Sequence, residues 1–287
     1  MSETVAPAAL PAPAMAARRW PRPRAAPTLG CAIILLLTLC AALPEWVAPY
    51  DPLAFDYGAT LQPPSLAHPC GTDNFGRDIL SRIIWATRVN MQIALFGTLF
   101  PAVFGTIAGA LLGYFGGIAD VVFRRLVDLI VTVPLLVLVI AIVAVLGPGL
   151  VNMYIALSAV GWIVYARLTR AEVLAQKRRD YAAAGRVMGY GWPRILFRHL
   201  LPNAITPVVV YWMTDMALAI LVGSSLGYLG LGAQPPTAEW GVLIADGKNF
   251  MTTAWWMSIF PGVAIVLAGL GFSLLGDGVA GLLRRRG

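Results

Sequence analysis

Long apolar runs separated by short polar segments dominate the chain. The runs cover residues 29–48, 89–116, 127–146, 150–167, 204–226 and 254–277. Each is near or above the roughly 18–20 residues that a helix needs to cross about 30 Å of hydrocarbon. The stretch from Leu129 to Ala166 has no charge, and Gly147-Pro148-Gly149 interrupts it, which indicates a tight helical hairpin. The pattern predicts an all-α membrane protein with six transmembrane helices.

The segments between the runs divide the chain into four parts. Residues 1–28 are rich in Pro and Ala without periodicity, which is typical of a disordered tail. Residues 29–48 form the predicted first transmembrane helix, and 49–88 a periplasmic loop. Residues 89–283 form a core of five helices with a cytoplasmic loop at 169–203. Composition agrees, because 59% of residues are hydrophobic and only 12% are charged, about half the share of a soluble domain.

Lysine and arginine set the expected orientation. Most of the 21 basic residues fall on one side of the predicted spans, and the other side keeps only Arg77, Arg82, Arg88 and Lys248. The positive-inside rule therefore puts both termini in the cytoplasm of a bacterial inner membrane. An alternative for the start of the chain is a signal peptide, with Arg18–Arg24, an apolar stretch and Cys40-Ala41-Ala42. The net charge of +7 sits between apolar runs, so we expect membrane lipid and no nucleic acid as a partner.

Small residues and acids inside the predicted spans carry further expectations. Gly105, Gly109 and Gly113 share one helix face, where another helix of this subunit or of a second subunit can approach closely. Asp128 is expected to pair with Arg124, four residues back. Asp215 lies near mid-bilayer, where a charge costs about 2.5–3.5 kcal/mol and must face protein or water. It either lines a translocation path, where it attracts a peptide amino terminus, or is a buried, hydrogen-bonded or protonated acid.

Motifs for catalysis and metal binding are absent from the sequence. It contains no Gly-x-x-x-x-Gly-Lys-Ser/Thr phosphate loop, no Gly-x-Ser-x-Gly and no His-Glu-x-x-His. His68 and His199 fall on opposite sides of the predicted membrane, and the three cysteines lack zinc or disulfide spacing. We therefore expect no enzyme activity, no metal site and no cofactor in this chain.

The cytoplasmic loop at 169–203 is the most informative segment. An Ala-rich helical stretch from Tyr181 to Met188 is interrupted by Gly189 and Gly191, and Trp192-Pro193 can start a second helix. Two interpretations stand at this point. The helix tip docks in a groove of a cytoplasmic partner, or the loop lies on anionic lipid, held by its basic residues.

Three segments resemble a known family in the same order along the chain. Residues 180–189, followed by Phe197-Arg198-His199-Leu200-Leu201-Pro202-Asn203, resemble the EAA loop of ABC importer permeases. Residues 68–82 and 229–241 are similar to two further segments of the dipeptide, oligopeptide and nickel group, in its C-type subunit. The resemblance covers about residues 30–280. The glutamate that names the motif is Ala183 here, and its second alanine is Gly185.

The resemblance implies a type I importer permease that couples ATPase closure to alternating access. It implies a homologous second permease, two cytoplasmic ATPases that bind ATP and Mg, and a periplasmic or lipid-anchored binding protein that delivers peptides or related solutes. The implied coupling residues are Ala183, Ala184, Gly185, Arg186, Val187, Met188, Gly189, Arg198 and Pro202. In the outer loops, Asp73, Arg77, Trp240, Asp246 and Lys248 are the expected binding-protein contacts.

A second class of function remains open at this point. A self-contained secondary transporter or channel would use Asp215 as its ion or proton site. Such a protein has no need for a docking element, so the loop at 169–203 distinguishes the two classes.

Overall fold

The computed structural model describes residues 25–283, and within them the chain is helical with a single isolated β-bridge between Thr72 and Asp78. The helices are α1 Ala25–Ala42, α2 Pro44–Val47, α3 Ile79–Phe115, α4 Gly117–Val131, α5 Leu135–Leu146, α6 Leu150–Lys177, α7 Asp180–Val187, α8 Leu201–Tyr228, α9 Trp240–Gly247 and α10 Trp256–Leu283. A π-helical segment, Arg194–Leu200, leads into α8, and Tyr57–Ala59 and Lys248–Phe250 form short 3₁₀ turns.

Four helices of the described part are long and apolar enough to cross a membrane, namely α3, α6, α8 and α10. Pairing α4 with α5 gives up to a fifth span, although the two helices meet at 91°. The apolar part of α1, Ala26–Ala42, is shorter than a full span. The all-α membrane fold is thus confirmed, whereas the number of six spans and the cytoplasmic termini stay predictions.

Several predicted boundaries differ from the structure. Helix α1 begins at Ala25, inside the predicted tail, and the rest of that tail, 1–24, lies outside the described residues, as does 284–287. Helix α3 begins at Ile79 rather than at residue 89, because the Asp78 carboxylate caps it by accepting from the Ser81 backbone N–H at 2.8 Å. The predicted third helix over 127–146 is wrong, since the chain turns at Thr132-Val133-Pro134 between α4 and α5.

Helix α3 runs through the centre and packs on α6, α8, α1 and α10. Its closest partner is α6. A Cβ atom on Gly105 or Gly109 would come within 3.0 Å of the α6 backbone at Trp162 or Ala166. Glycines spaced by four residues let the two backbones approach to this distance. The interpretation that this glycine face packs within the subunit is therefore confirmed.

Helices α4 and α6 are joined by an ion pair that the sequence did not reveal. Asp120 accepts from both Nε and Nη2 of Arg170, and Arg124 lies 3.5 Å from the same carboxylate. The expected pair of Arg124 with Asp128 is wrong, because Asp128 instead lies 4.0 Å from Arg125. A bidentate contact fixes geometry better than a single point charge does, so Arg170 holds α4 against α6.

Candidate functional site

The loop that was predicted over 169–203 is shorter in the structure, because α6 continues to Lys177 and helical structure resumes at Trp192. Between them, α7 confirms the helix expected over Tyr181–Met188 to within a residue at each end. The segment expected as a separate amphipathic piece, 195–201, is continuous with α8 through the π-helical segment. Pro202 therefore lies where the π-helical segment passes into α8, and it has no N–H to donate to the preceding turn.

One face of α7 is anchored inside the subunit. Ala182 is buried and packs in a cluster with Val173 of α6 and with Ile195, Leu196 and Leu200 of the π-helical segment. Gly185 is buried on the same face, where a Cβ would lie 3.6 Å from Tyr190 and 3.8 Å from Ile195. Gly185 therefore faces its own subunit, and its place in the coupling core stays a prediction.

The opposite face of α7 is exposed. The side chains of Val187 and Met188 are 89% and 60% exposed, and Ala183, Ala184 and Arg186 lie on the same open surface. Arg198 and Pro202 are also exposed. We call the surface formed by Ala183, Ala184, Val187 and Met188 the α7 face. Val187 and Met188 are large and apolar, and the residues one turn earlier, Ala183 and Ala184, are small. A protruding apolar helix end of this kind can insert into a groove of a partner protein.

The end of α7 is fixed by a Schellman motif. The N–H of Gly189 donates to the Arg186 carbonyl at 3.0 Å, and the N–H of Tyr190 donates to the Gly185 carbonyl at 3.1 Å. Gly189 has φ +75°, a conformation in which a Cβ is strained, although nothing lies within 4 Å of the place a Cβ would take. Gly189 thus terminates the helix and brings Tyr190 back over Gly185.

The outer loop 49–78 is held by a network around Asp73. Its carboxylate accepts from Arg77 Nε at 2.6 Å and from Arg82 Nη1 at 2.8 Å, and Arg82 reaches Asp246 of α9 at 3.4 Å. Trp240 is fully buried and donates to the Ile83 carbonyl at 3.2 Å. Asp73 and Trp240 are thus corrected from binding-protein contacts to internal ones, because the subunit itself buries them. Asp246 and Lys248 are exposed, whereas Arg77 is half-buried.

His68 and Cys70 both lie in this loop. His68 Nδ1 lies 3.0 Å from the carboxylate of Asp78, the capping residue of α3. Burial, together with the negative charge of Asp78, raises the pKa of the Cys70 thiol to about 11. The thiol is therefore protonated and unreactive at neutral pH.

Sequence reasoning missed the role of Glu239, which lies within the segment 229–241 but was not singled out. Its side chain is 1% exposed, accepts from Ser224 Oγ of α8 at 2.7 Å and caps α9 by accepting from the Val242 N–H at 3.1 Å. Burial raises the pKa of this carboxyl, and the hydrogen bonds oppose that effect. The signal in the sequence was an acid directly before a short apolar run, a pattern that is typical of a helix N-cap.

Asp215 is a residue of α8, and its side chain meets Tyr165 of α6. Its carboxylate accepts a hydrogen bond from Tyr165 Oη at 2.7 Å, and the ring of Tyr165 packs edge to face on Tyr211 at 5.0 Å. Tyr165 is fully buried, and Asp215 is half-buried. This is the hydrogen-bonded arrangement that one of the two interpretations expected. A role for Asp215 in a translocation path stays a prediction.

Comparison with known proteins assigns the family. Residues 105–286 match the family described as binding-protein-dependent transport system inner membrane component, and residues 24–64 match the N-terminal transmembrane domain of oligopeptide transport permease C.

Individual relatives agree with these matches. The di/tripeptide transport system permease protein DppC of Pseudomonas aeruginosa is 40% identical over 256 residues, covering 87% of this chain and 84% of the relative. The dipeptide transport system permease protein DppC of Escherichia coli is 40% identical, with 88% and 86% covered. The probable D,D-dipeptide transport system permease protein DdpC of the same species is 39% identical, with 88% and 84% covered. The chain therefore belongs to the family of multi-pass inner membrane components of binding-protein-dependent transport systems.

Proposed function

We propose that this chain is one permease subunit of an ATP-driven importer for di- or oligopeptides or related small solutes. It pairs with a homologous second permease and with two cytoplasmic ATPases, which bind ATP and Mg, while this chain binds neither. A periplasmic or lipid-anchored binding protein delivers the solute. The peptide-transport names of the relatives support the substrate class.

The single observation that carries the proposal is the division of α7 into two faces. Ala182 and Gly185 attach the helix to α6 and to the π-helical segment, while the α7 face is open. Burial of apolar surface is favourable by about 25 cal/mol per Å². A partner groove that covers the exposed side chains of Val187 and Met188 would therefore be stabilised by their burial. We assign this partner as the ATPase.

The charges around the α7 face suit a partner that carries acids. Arg186 and Arg198 are exposed and have no acid partner among residues 25–283. They are available to acids on the ATPase, whereas Ala183 offers no charge at the position of the motif's glutamate. At the other side of the membrane, Asp246 and Lys248 remain as candidate contacts for the binding protein.

Recovery of the partners tests the proposal. The tagged chain is purified from its native membrane in mild detergent, and the co-purifying proteins are identified by mass spectrometry. We expect a second permease and one or two ATPases. The Val187→Asp/Met188→Asp variant should keep the permease and lose the ATPases, whereas Leu66→Asp, an exposed apolar site in the outer loop, should lose neither. A chain recovered alone or as a homo-oligomer would contradict the proposal and favour an ion-coupled transporter.

A further inference from the structure

A basic pocket of about 440 Å³ opens where α4 packs on α6. Four arginines line it, Arg124 and Arg125 from α4 with Arg167 and Arg170 from α6, together with one acid, Asp128 of α4. Phe123 and Val127 close its floor and pack on Ile163 and Ala166 of α6. None of the residues that line the pocket belongs to the α7 face or to the outer loops, and Asp215 is not among them.

The acids near the pocket leave part of its charge unmatched. Asp120 is shared by Arg170 and Arg124, and Asp128 is 4.0 Å from Arg125 in an exposed pair. An exposed pair of this kind contributes little. Arg167 has no acid partner anywhere in residues 25–283. Four arginines against the two carboxylates of Asp120 and Asp128 leave an excess of two positive charges, which can bind one or two phosphodiester anions.

An apolar stripe runs along α4 beside this pocket. Ile118, Val122, Leu126 and Leu129 are exposed and share one helix face, since their spacing of four, four and three residues matches the helical repeat. Arg125 borders the same face. Because α4 meets α5 at 91°, α4 lies crosswise to α5 rather than continuing it. A crosswise amphipathic helix with arginines beside its apolar stripe is typical of a helix in the membrane interface.

The depth of the pocket in the membrane agrees with an interfacial position of α4. Arg167 lies about 25 Å along α6 from Leu150, at 1.5 Å per residue, close to the full thickness of the hydrocarbon core of about 30 Å. The arginines are therefore at headgroup level. The positive-inside orientation identifies the leaflet as the cytoplasmic one, where anionic headgroups attract basic pockets between helices.

We infer that this pocket binds the phosphodiester headgroup of an anionic phospholipid of the cytoplasmic leaflet, such as phosphatidylglycerol or cardiolipin. Arg167 and Arg125 contact the phosphate oxygens through charge-assisted hydrogen bonds, while Arg170 and Arg124 hold the wall through Asp120. The acyl chains lie along the α4 stripe. This stripe favours a lipid over a soluble phosphate, and the unmatched arginines favour it over an apolar partner helix.

Lipid titration of the full chain in detergent, read by native mass spectrometry, tests the inference. We expect dioleoyl phosphatidylglycerol to bind at least tenfold more tightly than dioleoyl phosphatidylcholine. Arg167→Gln and Arg125→Gln should each weaken phosphatidylglycerol binding about fivefold. Both side chains are exposed, so neither change disturbs the fold. Arg178→Gln, an equal charge change after the end of α6, should leave binding unchanged.

Three results would overturn the inference. Equal binding of the two lipids would remove the requirement for an anionic headgroup. If Arg178→Gln weakened phosphatidylglycerol binding as much as Arg167→Gln does, the binding would depend on general surface charge and not on this pocket. Full competition by glycerol 3-phosphate at the lipid's own concentration would indicate a soluble anion, because the acyl chains would then contribute nothing. None of these results depends on transport activity or on the ATPases.

Discussion

Gly185 and Gly189 lie one helical turn apart and have different structural roles. Gly185 is buried against Tyr190 with room for a methyl group, whereas Gly189 has open space around it and a φ of +75°. The sequence predicted both as one functional group, because a motif shows which residues belong together and not which face they take. The face depends on Ala182 packing against Val173 and Leu196, residues outside the motif.

Replacement of Gly189 by Ala should weaken docking of α7 through backbone strain alone. A Cβ in the left-handed region costs about 1–2 kcal/mol, and Asn tolerates that region better. We expect Gly189→Ala to lower peptide uptake and ATPase co-purification, and Gly189→Asn to retain most of both, at equal amounts of membrane-inserted chain. Unreduced uptake and co-purification by Gly189→Ala would show that the Schellman turn is not required.

Gly185→Ala should stabilise the subunit. Its Cβ would make ordinary contacts at 3.6 Å and 3.8 Å, and alanine is favoured over glycine within a helix by about 0.8–1.0 kcal/mol. Thermal unfolding in detergent should show a small rise in midpoint temperature with insertion unchanged. A lower midpoint would mean that α7 packs more tightly on the π-helical segment than these distances indicate.

The buried carboxyl of Glu239 should make stability depend on pH. Burial raises its pKa in the folded protein above the ordinary 4.5, so the folded state holds the proton more tightly than the unfolded state. Stability should therefore fall as pH rises from about 4.5 through the raised value, and then level off. Glu239→Gln should remove this part of the fall in the thermal midpoint.

The control is Glu239→Ala, which leaves the Val242 N–H without its acceptor and Ser224 with Asn90 Oδ1 as its remaining acceptor. This variant should be destabilised by about 1–3 kcal/mol at every pH. A wild-type midpoint that rises with pH while Glu239→Gln follows it in parallel would exclude Glu239 as the source.

At the scale of elements, apolar runs predicted the existence of helices better than their ends. Residues 127–146 are apolar throughout, so hydropathy alone gave one helix, and Pro134 was the only local sign of the turn between α4 and α5. Helix α3 was predicted to start late because Arg82 and Arg88 interrupt the apolar pattern. Folding gives both a partner, Asp73 for Arg82 and the carbonyls of Ala41 and Ala42 for Arg88.

Close packing of α3 on α6 should be sensitive to one methyl group. Gly109→Ala places a Cβ closer than 3.0 Å to the Ala166 backbone, which cannot move independently of α6. Overpacking of this kind costs about 1–3 kcal/mol. The matched control is Gly269→Ala in α10, where nothing lies within 4 Å of the new Cβ. We expect a lower thermal midpoint for the first variant only, and equal midpoints would contradict the packing account.

On the scale of the whole molecule, one continuous helical path connects α7 with the start of α9. Helical structure from Arg194 to Tyr228 spans about 50 Å at 1.5 Å per residue. At one end the π-helical segment holds α7 through Leu196 and Ala182, and at the other Ser224 holds Glu239 at the start of α9. A displacement of α7 by an ATPase would therefore act on the helix that carries Asp215 and the outer cap.

Site-specific photo-crosslinking at the α7 face tests the central claim most directly. A benzoylphenylalanine at Val187 should crosslink to the ATPase in native membranes, and the same residue at Trp46, which is 86% exposed near the outer end of α1, should not. Addition of ATP should change the Val187 yield because closure of the ATPases moves the docked helix. A Val187 probe that forms adducts only with lipid, with or without ATP, would contradict the account and support a loop that lies on the membrane surface.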